Sequence, residues 1–164
     1  MPKVEVVNES AIPVSGLTVT IPLFIVPGIG SGAAYASGDA MGTLFTINTG
    51  CTTGMIQTLL VIDQDKEQLA FDVVLFKELF TPTADNSAFD AVDAELRDHF
   101  VGIIPVTASD YAAFNDNAAA CVRNVGLSFT APGRKLYGQL VTRGAPNYTA
   151  ATDLSLGFSI LADK

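Results

Sequence analysis

A chain of 164 residues with 49% hydrophobic and only 16% charged side chains is long enough to bury its own core, and it is poor in charge beside the roughly 25% of ordinary domains. Its net charge of −8, nine basic residues against 17 acidic ones, excludes the basic footprint that neutralises nucleic-acid phosphates. No apolar run approaches the roughly 20 residues of a membrane helix, and the opening MPKVEVVNES lacks the basic and apolar regions of a signal peptide.

The expectation is one soluble domain over residues 1–164, made in the cytoplasm, with neither nucleic acid nor membrane as partner. A surface this neutral points instead to a protein that covers part of it. Residues 1–38 are rich in proline and glycine. Pro2, Pro13, Pro22 and Pro27 interrupt any continuous ladder, so a strand here is broken or lies at an edge, and the stretch reads as an N-terminal arm. Gly28, Gly30 and Gly32 sit in PGIGSGAAYASGD, but no Gly-Lys-Ser/Thr and no helical pattern follow, so this is a loop and not a phosphate cradle.

Strand signals begin at Ala40. MIQTLLVID (55–63) and QLAFDVVLF (68–76) are joined by the polar QDKE and predict a hairpin. In the second run Leu69, Phe71, Val73 and Leu75 share one face, while Ala70, Asp72, Val74 and Phe76 share the other. With both faces largely apolar, this hairpin should be covered on both sides. DNSAFDAVDAELRDHF (85–100) breaks the alternation. It predicts a short helix capped by Asp90, with Asp93 and Glu95 in the first turn and Val92 and Leu96 toward the core. Ser109 before DYAAF predicts a second helical turn.

Strands then return. Arg123, Val125, Leu127 and Phe129 alternate with small or polar residues. Tyr137, Gln139, Val141 and Arg143 alternate with Leu136, Gly138, Leu140 and Thr142. Leu154, Leu156, Phe158 and Ile160 form an apolar face backed by Ser155, Gly157 and Ser159. About eight strands separated by turns predict an all-β, jelly-roll-like antiparallel β-sandwich with one or two short helices in the connections.

The side chains that carry chemistry do not assemble into a motif. The single histidine, His99, follows Arg97-Asp98 at a predicted helix end, where capping or solvation is its expected role. Asp63, Asp65 and Glu67 alternate in DQDKE, without the glycine and distal glutamate of a calcium loop, and predict a solvated turn. Cys51 and Cys121 have neither a CxxC partner nor a nearby histidine pair, so free thiols are expected and a zinc site is not. The chain has no Trp and only four Tyr, a poor supply of platforms for a sugar cleft. No catalytic, cofactor-binding or metal-binding residue is assigned, no cofactor is expected, and the protein is read as a non-enzyme.

One stretch is more specific. LYGQLVTRGAPNYTAATDLSL presents Leu136-Tyr137-Gly138, Leu140-Val141, Arg143-Gly144, Pro146, Tyr148-Thr149 and Asp153-Leu154. Together with YASGDAMG (35–42), MIQTLLVIDQDKEQLAFDVVLF (55–76), PTADNSAFDAVDAEL (82–96) and VGIIPV (101–106), it resembles, in the same order and over most of the chain, structural proteins encoded in tailed-bacteriophage head modules. The resemblance implies a virion protein, most like a small capsid cement or decoration protein on the head exterior. Its partner would be the major capsid protein, its own state a dimer or trimer, and its function free of catalytic residues. The alternative reading is a tail- or fibre-associated sandwich that binds a host glycan. Within the Arg-Gly-x-Pro-x-Tyr turn, Gly144 would allow a sharp bend at positive φ and Pro146 would fix φ. Tyr148 would bury its ring with its hydroxyl on a backbone partner, and Arg143 would pair with Asp153. The arm at 2–27 would reach a neighbouring subunit.

Overall fold

The structure, a computed structural model, describes residues 17–30 and 32–163. The strands are β1 (Leu17–Ile25), β2 (Ala40–Asn48), β3 (Thr53–Asp63), β4 (Phe71–Phe76), β5 (Phe100–Val106), β6 (Tyr111–Ala113), β7 (Ala118–Thr130), β8 (Lys135–Thr142) and β9 (Leu154–Ala162). A short helix, α1 (Asp93–His99), precedes β5, and a 3-10 turn at Ala108–Asp110 precedes β6. One sheet has the order β1-β9-β3-β7-β6 and the other β2-β8-β4-β5, all pairs antiparallel. Apart from the short β6, the first strand pairs with the last, β2 with β8, β3 with β7 and β4 with β5. That is one long antiparallel hairpin rolled into two sheets, the jelly roll.

The predicted hairpin at 55–76 does not form. β3 lies in the five-stranded sheet between β7 and β9, and β4 lies in the other sheet between β5 and β8. Of the two runs only β4 is covered on both faces, by the core on one side and by the Phe80 cluster on the other; the outer face of β3 is open, with Leu60 42% exposed. Lys66 and Gln68 at φ 57° and 48° carry the chain across the sandwich, and Asp63 Oδ2 accepts the Gln68 N–H at 2.7 Å to hold that crossing.

The two sheets share one core. Leu154, Leu156, Phe158 and Ile160 from β9 are buried there, as their alternation predicts, against Ile56, Leu59 and Val61 of β3 and Phe71, Val73 and Leu75 of β4. In β7 the alternation changes phase. Val125, Leu127 and Phe129 pack inward but Arg123 is exposed, because Asn124 at φ 55° marks a bulge and Ala120 and Val122 take the inner positions before it.

The helical expectations are also corrected. α1 starts after Val92, with no side-chain cap; the Asp90 N–H instead bonds Thr83 Oγ1 at 3.0 Å. Val92 and Leu96 are exposed and no residue of α1 is buried. The 3-10 turn is capped by Thr107, reciprocally with Asp110, rather than by Ser109, and the residues after it extend as β6. Of the N-terminal arm, residues 1–16 lie outside the described residues, whereas 17–25 are an edge strand of the sandwich rather than a free reach. β1 is bulged between Ile21 and Phe24, where Pro22 cannot donate to the ladder.

The outer face of the four-stranded sheet is clad by the chain itself. Val74, Phe76 and Val141 pack there under Phe80, with Phe89 and Ala91 alongside, and the rings of Phe76 and Phe80 stack at 4.1 Å. Gln139, fully buried, pins this cover: its amide accepts the Thr83 N–H at 3.0 Å and donates to the carbonyls of Thr83 at 2.6 Å and Gly42 at 3.0 Å. Asp85 Oδ1 accepts from the Tyr35 hydroxyl at 2.8 Å and the Gly42 N–H at 2.6 Å.

Candidate interaction face

The five-stranded sheet has no such cover among the described residues. Alternation sends Val19, Ile21 and Phe24 of β1 inward and leaves Leu23 and Ile25 outward, 51% and 50% exposed. On β9 the outward set is Ser155, Gly157, Ser159 and Leu161; on β3 it includes Thr58, Leu60 and Ile62. β7 adds Ala119, Cys121 and Arg123, and β6 adds Ala112. The five strands contain two charged residues, Asp63 and Arg123, of which Asp63 is buried and Arg123 exposed. Arg123 is thus the one charged strand residue exposed on this face, and Asp110 from the 3-10 turn lines the groove with it.

The face is shaped as well as neutral. Leu60 is 42% exposed and sits in register with Gly157 of β9 and Cys121 of β7. Gly157 is small for a reason: a Cβ there would come within 3.3 Å of the Leu23 side chain and the Ile21 carbonyl, so its absence lets Leu23 lie across the sheet. An open groove of about 410 Å³ runs between Leu23, Leu60 and Ile62 on one side and Ala112, Cys121 and Arg123 on the other. Covering this surface releases water from apolar groups and desolvates few charges, the combination that makes a protein–protein contact favourable.

Among the described residues, those that carry reactive groups do not converge on one site, and Cys121 is the one of them that lines the groove. His99 ends α1 with Nδ1 3.5 Å from Glu78 Oε2. We expect His99→Ala to change unfolding free energy by under about 1 kcal/mol, read from a urea melt; a larger loss would mean that its contact with Glu78 holds the β4–β5 connection. Asp63, read from sequence as part of a solvated turn, is fully buried. Burial pushes its carboxyl above the usual carboxylate range, against the pull of backbone N–H groups at Gln68, Glu67, Lys66 and Asp65. Among the described residues no group of three or more His, Cys, Asp and Glu side chains is placed to hold a metal ion. Cys51 is half-buried, Cys121 is exposed, and both are free thiols.

The Arg-Gly-x-Pro-x-Tyr turn is architectural, with partners other than those expected. Arg143 pairs with Asp72 across β8 and β4, Nε to Oδ2 at 2.8 Å, not with Asp153. Asp153 Oδ2 instead accepts the N–H groups of Thr149 at 2.9 Å and Ala150 at 2.6 Å, closing the loop on itself. Tyr148 buries its ring completely, but its hydroxyl meets no hydrogen-bond partner. Gly144 is not at positive φ. Its small size matters because a Cβ would lie 2.5 Å from Leu69 Cδ1, the end of a flexible side chain. Gly144→Ala should therefore cost only about 1 kcal/mol. Combining it with Leu69→Ala should remove that increment in a double-mutant cycle of denaturant melts; an undiminished cost in the double variant would point to backbone strain.

The signal for the bare face was present in the sequence as an absence. Apart from Asp63 and Arg123, the segments 17–25, 53–63, 118–130 and 154–162 carry no charged residue. Compared with models of known protein families and with curated proteins, the chain matches none.

Proposed function

We propose that this protein is a non-enzymatic structural protein of a virus particle, a cement that docks on the outside of a bacteriophage head through the bare outer face of its five-stranded sheet. The observation that carries the docking is the asymmetry of the two sheets. Residues 77–92 cover one outer face, and among the described residues no segment covers the other, which is largely apolar with Arg123 as its one exposed charged strand residue. The choice of a phage head as the partner rests on the motif resemblance described above, and the jelly-roll architecture is compatible with it.

In this reading the major capsid protein is the partner. Each contact buries apolar surface of modest extent, and a dimer or trimer that engages several capsid subunits at once is retained by avidity. Preference for the expanded lattice would stabilise that lattice by linkage. An acidic protein suits the outside of a nucleic-acid container better than the inside, where phosphates repel it. The aromatic residues of the five strands, Phe24, Tyr111, Phe129 and Phe158, pack toward the core. Among the described residues the strands of the bare face therefore offer no stacking platform for sugar rings, the nearby exposed Phe114 lying past the end of β6, which favours a protein partner over a host glycan.

The test is sedimentation of the purified protein with expanded capsids lacking it, followed by a heat-resistance assay of the particles. Co-sedimentation with a gain in heat resistance is the expected result. Binding to a glycan array without any binding to capsids would replace this reading with a tail or fibre module.

A further inference from the structure

Three buried polar atoms that have no hydrogen-bond partner among the described residues belong to segments that meet at the end of the sandwich where β3 finishes. Asp63 is its last residue, opposite Leu154 of β9 on one side and Ala118 of β7 on the other. Oδ2 is satisfied by the Gln68 N–H, but Oδ1 is buried and has no partner. Tyr111 on β6 sits opposite Ala120, which in turn sits opposite Val61, so it lies one inward position along from Asp63. Tyr148 comes from the β8–β9 connection, which is tied to this corner by the Gln64 N–H on the Asp153 carbonyl at 2.7 Å. The hydroxyls of Tyr111 and Tyr148 are also buried and unpartnered. Desolvation first, and then the negative charge of Asp63, push both phenols above their ordinary range, and Tyr111 acts on Tyr148 in the same sense. The three groups thus share one low-dielectric neighbourhood without bonding to one another directly.

Leaving three such groups bare is costly, and native interiors rarely do so. We propose that Asp63 Oδ1 and the hydroxyls of Tyr111 and Tyr148 enclose a binding site for a single water molecule. The donor and acceptor count fits. Both phenols donate to the water oxygen, and the water donates one proton to Oδ1, giving the three hydrogen bonds typical of a buried water. A metal cation fits poorly, since it would occupy the phenol lone pairs and leave both phenol protons without an acceptor. The water joins β3, the short edge strand β6 and the β8–β9 connection. It also lies beneath the groove, because Ile62 and Ala112, the chain neighbours of Asp63 and Tyr111, line that groove from the other side of the sheet.

The sign of a conservative substitution tests this. With the water in place, Tyr148→Phe and Tyr111→Phe each remove one of its hydrogen bonds. Each should lower the melting temperature by about 2–4 °C, and the double variant should lose less than the sum because the water is lost once. If no water is bound, each substitution removes an orphaned hydroxyl, and an unchanged or higher melting temperature would overturn the proposal. Melts of the unaltered protein in sodium, potassium and choline chloride at equal ionic strength should coincide; stabilisation by one alkali cation would identify a cation site and overturn the water. A high-resolution crystal structure should show one density peak within hydrogen-bond distance of all three atoms, and an empty site or direct Tyr–Asp bonds would refute it.

Discussion

Phe158→Ala should destabilise the domain by about 3–5 kcal/mol, the range for deleting a buried aromatic side chain. Phe158 is 2% exposed and lies at the middle of β9, opposite Ile21 of β1 and Leu59 of β3. Phe24 stacks on its ring with centroids 6.3 Å apart, and Phe24 in turn packs on Phe45 of the other sheet at 5.6 Å. The ring therefore belongs to a chain of aromatic contacts that crosses the sandwich. β9 is held on both sides by ladders, so its backbone cannot collapse into the vacated volume, and the cavity term remains in full. A domain with about 5–15 kcal/mol of stability would be left marginal. A urea melt reads the loss as a lower midpoint at unchanged slope; a midpoint equal to the parent's would mean that the β9 face does not carry the core.

Leu60→Asp should leave folding almost untouched and abolish docking. Leu60 is 42% exposed at the centre of the bare face, so the free protein should shift by no more than about 0.5 kcal/mol. Against a covering partner, the same carboxylate would be buried in an apolar contact, with Arg123 across the groove as its one nearby cation. A desolvation cost of several kcal/mol corresponds to a loss of at least about 100-fold in affinity. Leu79→Asp is the matched control, because Leu79 is 67% exposed in the connection that follows β4 on the other sheet. The expected pattern is a parent-like melt for both variants, sedimentation with capsids for Leu79→Asp, and none for Leu60→Asp. Equal binding by the two would remove the bare face as the docking surface, while leaving the identity of the partner to the sedimentation of the parent protein.

The candidate face and the buried polar corner differ in how far they could be read in advance. The face is written in strand composition, because a strand without charge has two neutral sides wherever it is placed. Which of the two outer faces stays open is not written there. It depends on the path of residues 77–92, whose Phe80 and Phe89 read locally as loop hydrophobics and become a lid only when they meet Phe76 and Val141. The polar corner was hidden for a related reason. DQDKE has the composition of a solvated turn, and it is Tyr111 and Tyr148, distant in sequence, that share Asp63's buried surroundings.

Local chemistry by itself determined the strand character of most segments, the all-β class and the broken edge strand at Pro22. Period-two alternation and the missing N–H of proline act within a few residues and need no partner to be read. The inward face of β9 follows from the same rule, and Leu154, Leu156, Phe158 and Ile160 obey it. Tertiary structure alone decided which strands pair. Alternation specifies a strand's two faces but not its neighbours, so the runs at 55–63 and 68–76 were equally compatible with a hairpin and with a crossing between sheets. It also decided the phase change at Asn124, where a bulge turned Arg123 outward, and the pairing of Arg143 with Asp72, which lies 71 residues away. Those outcomes depend on contacts between segments far apart in the chain, and the free energy that selects among them comes from closing the whole core at once.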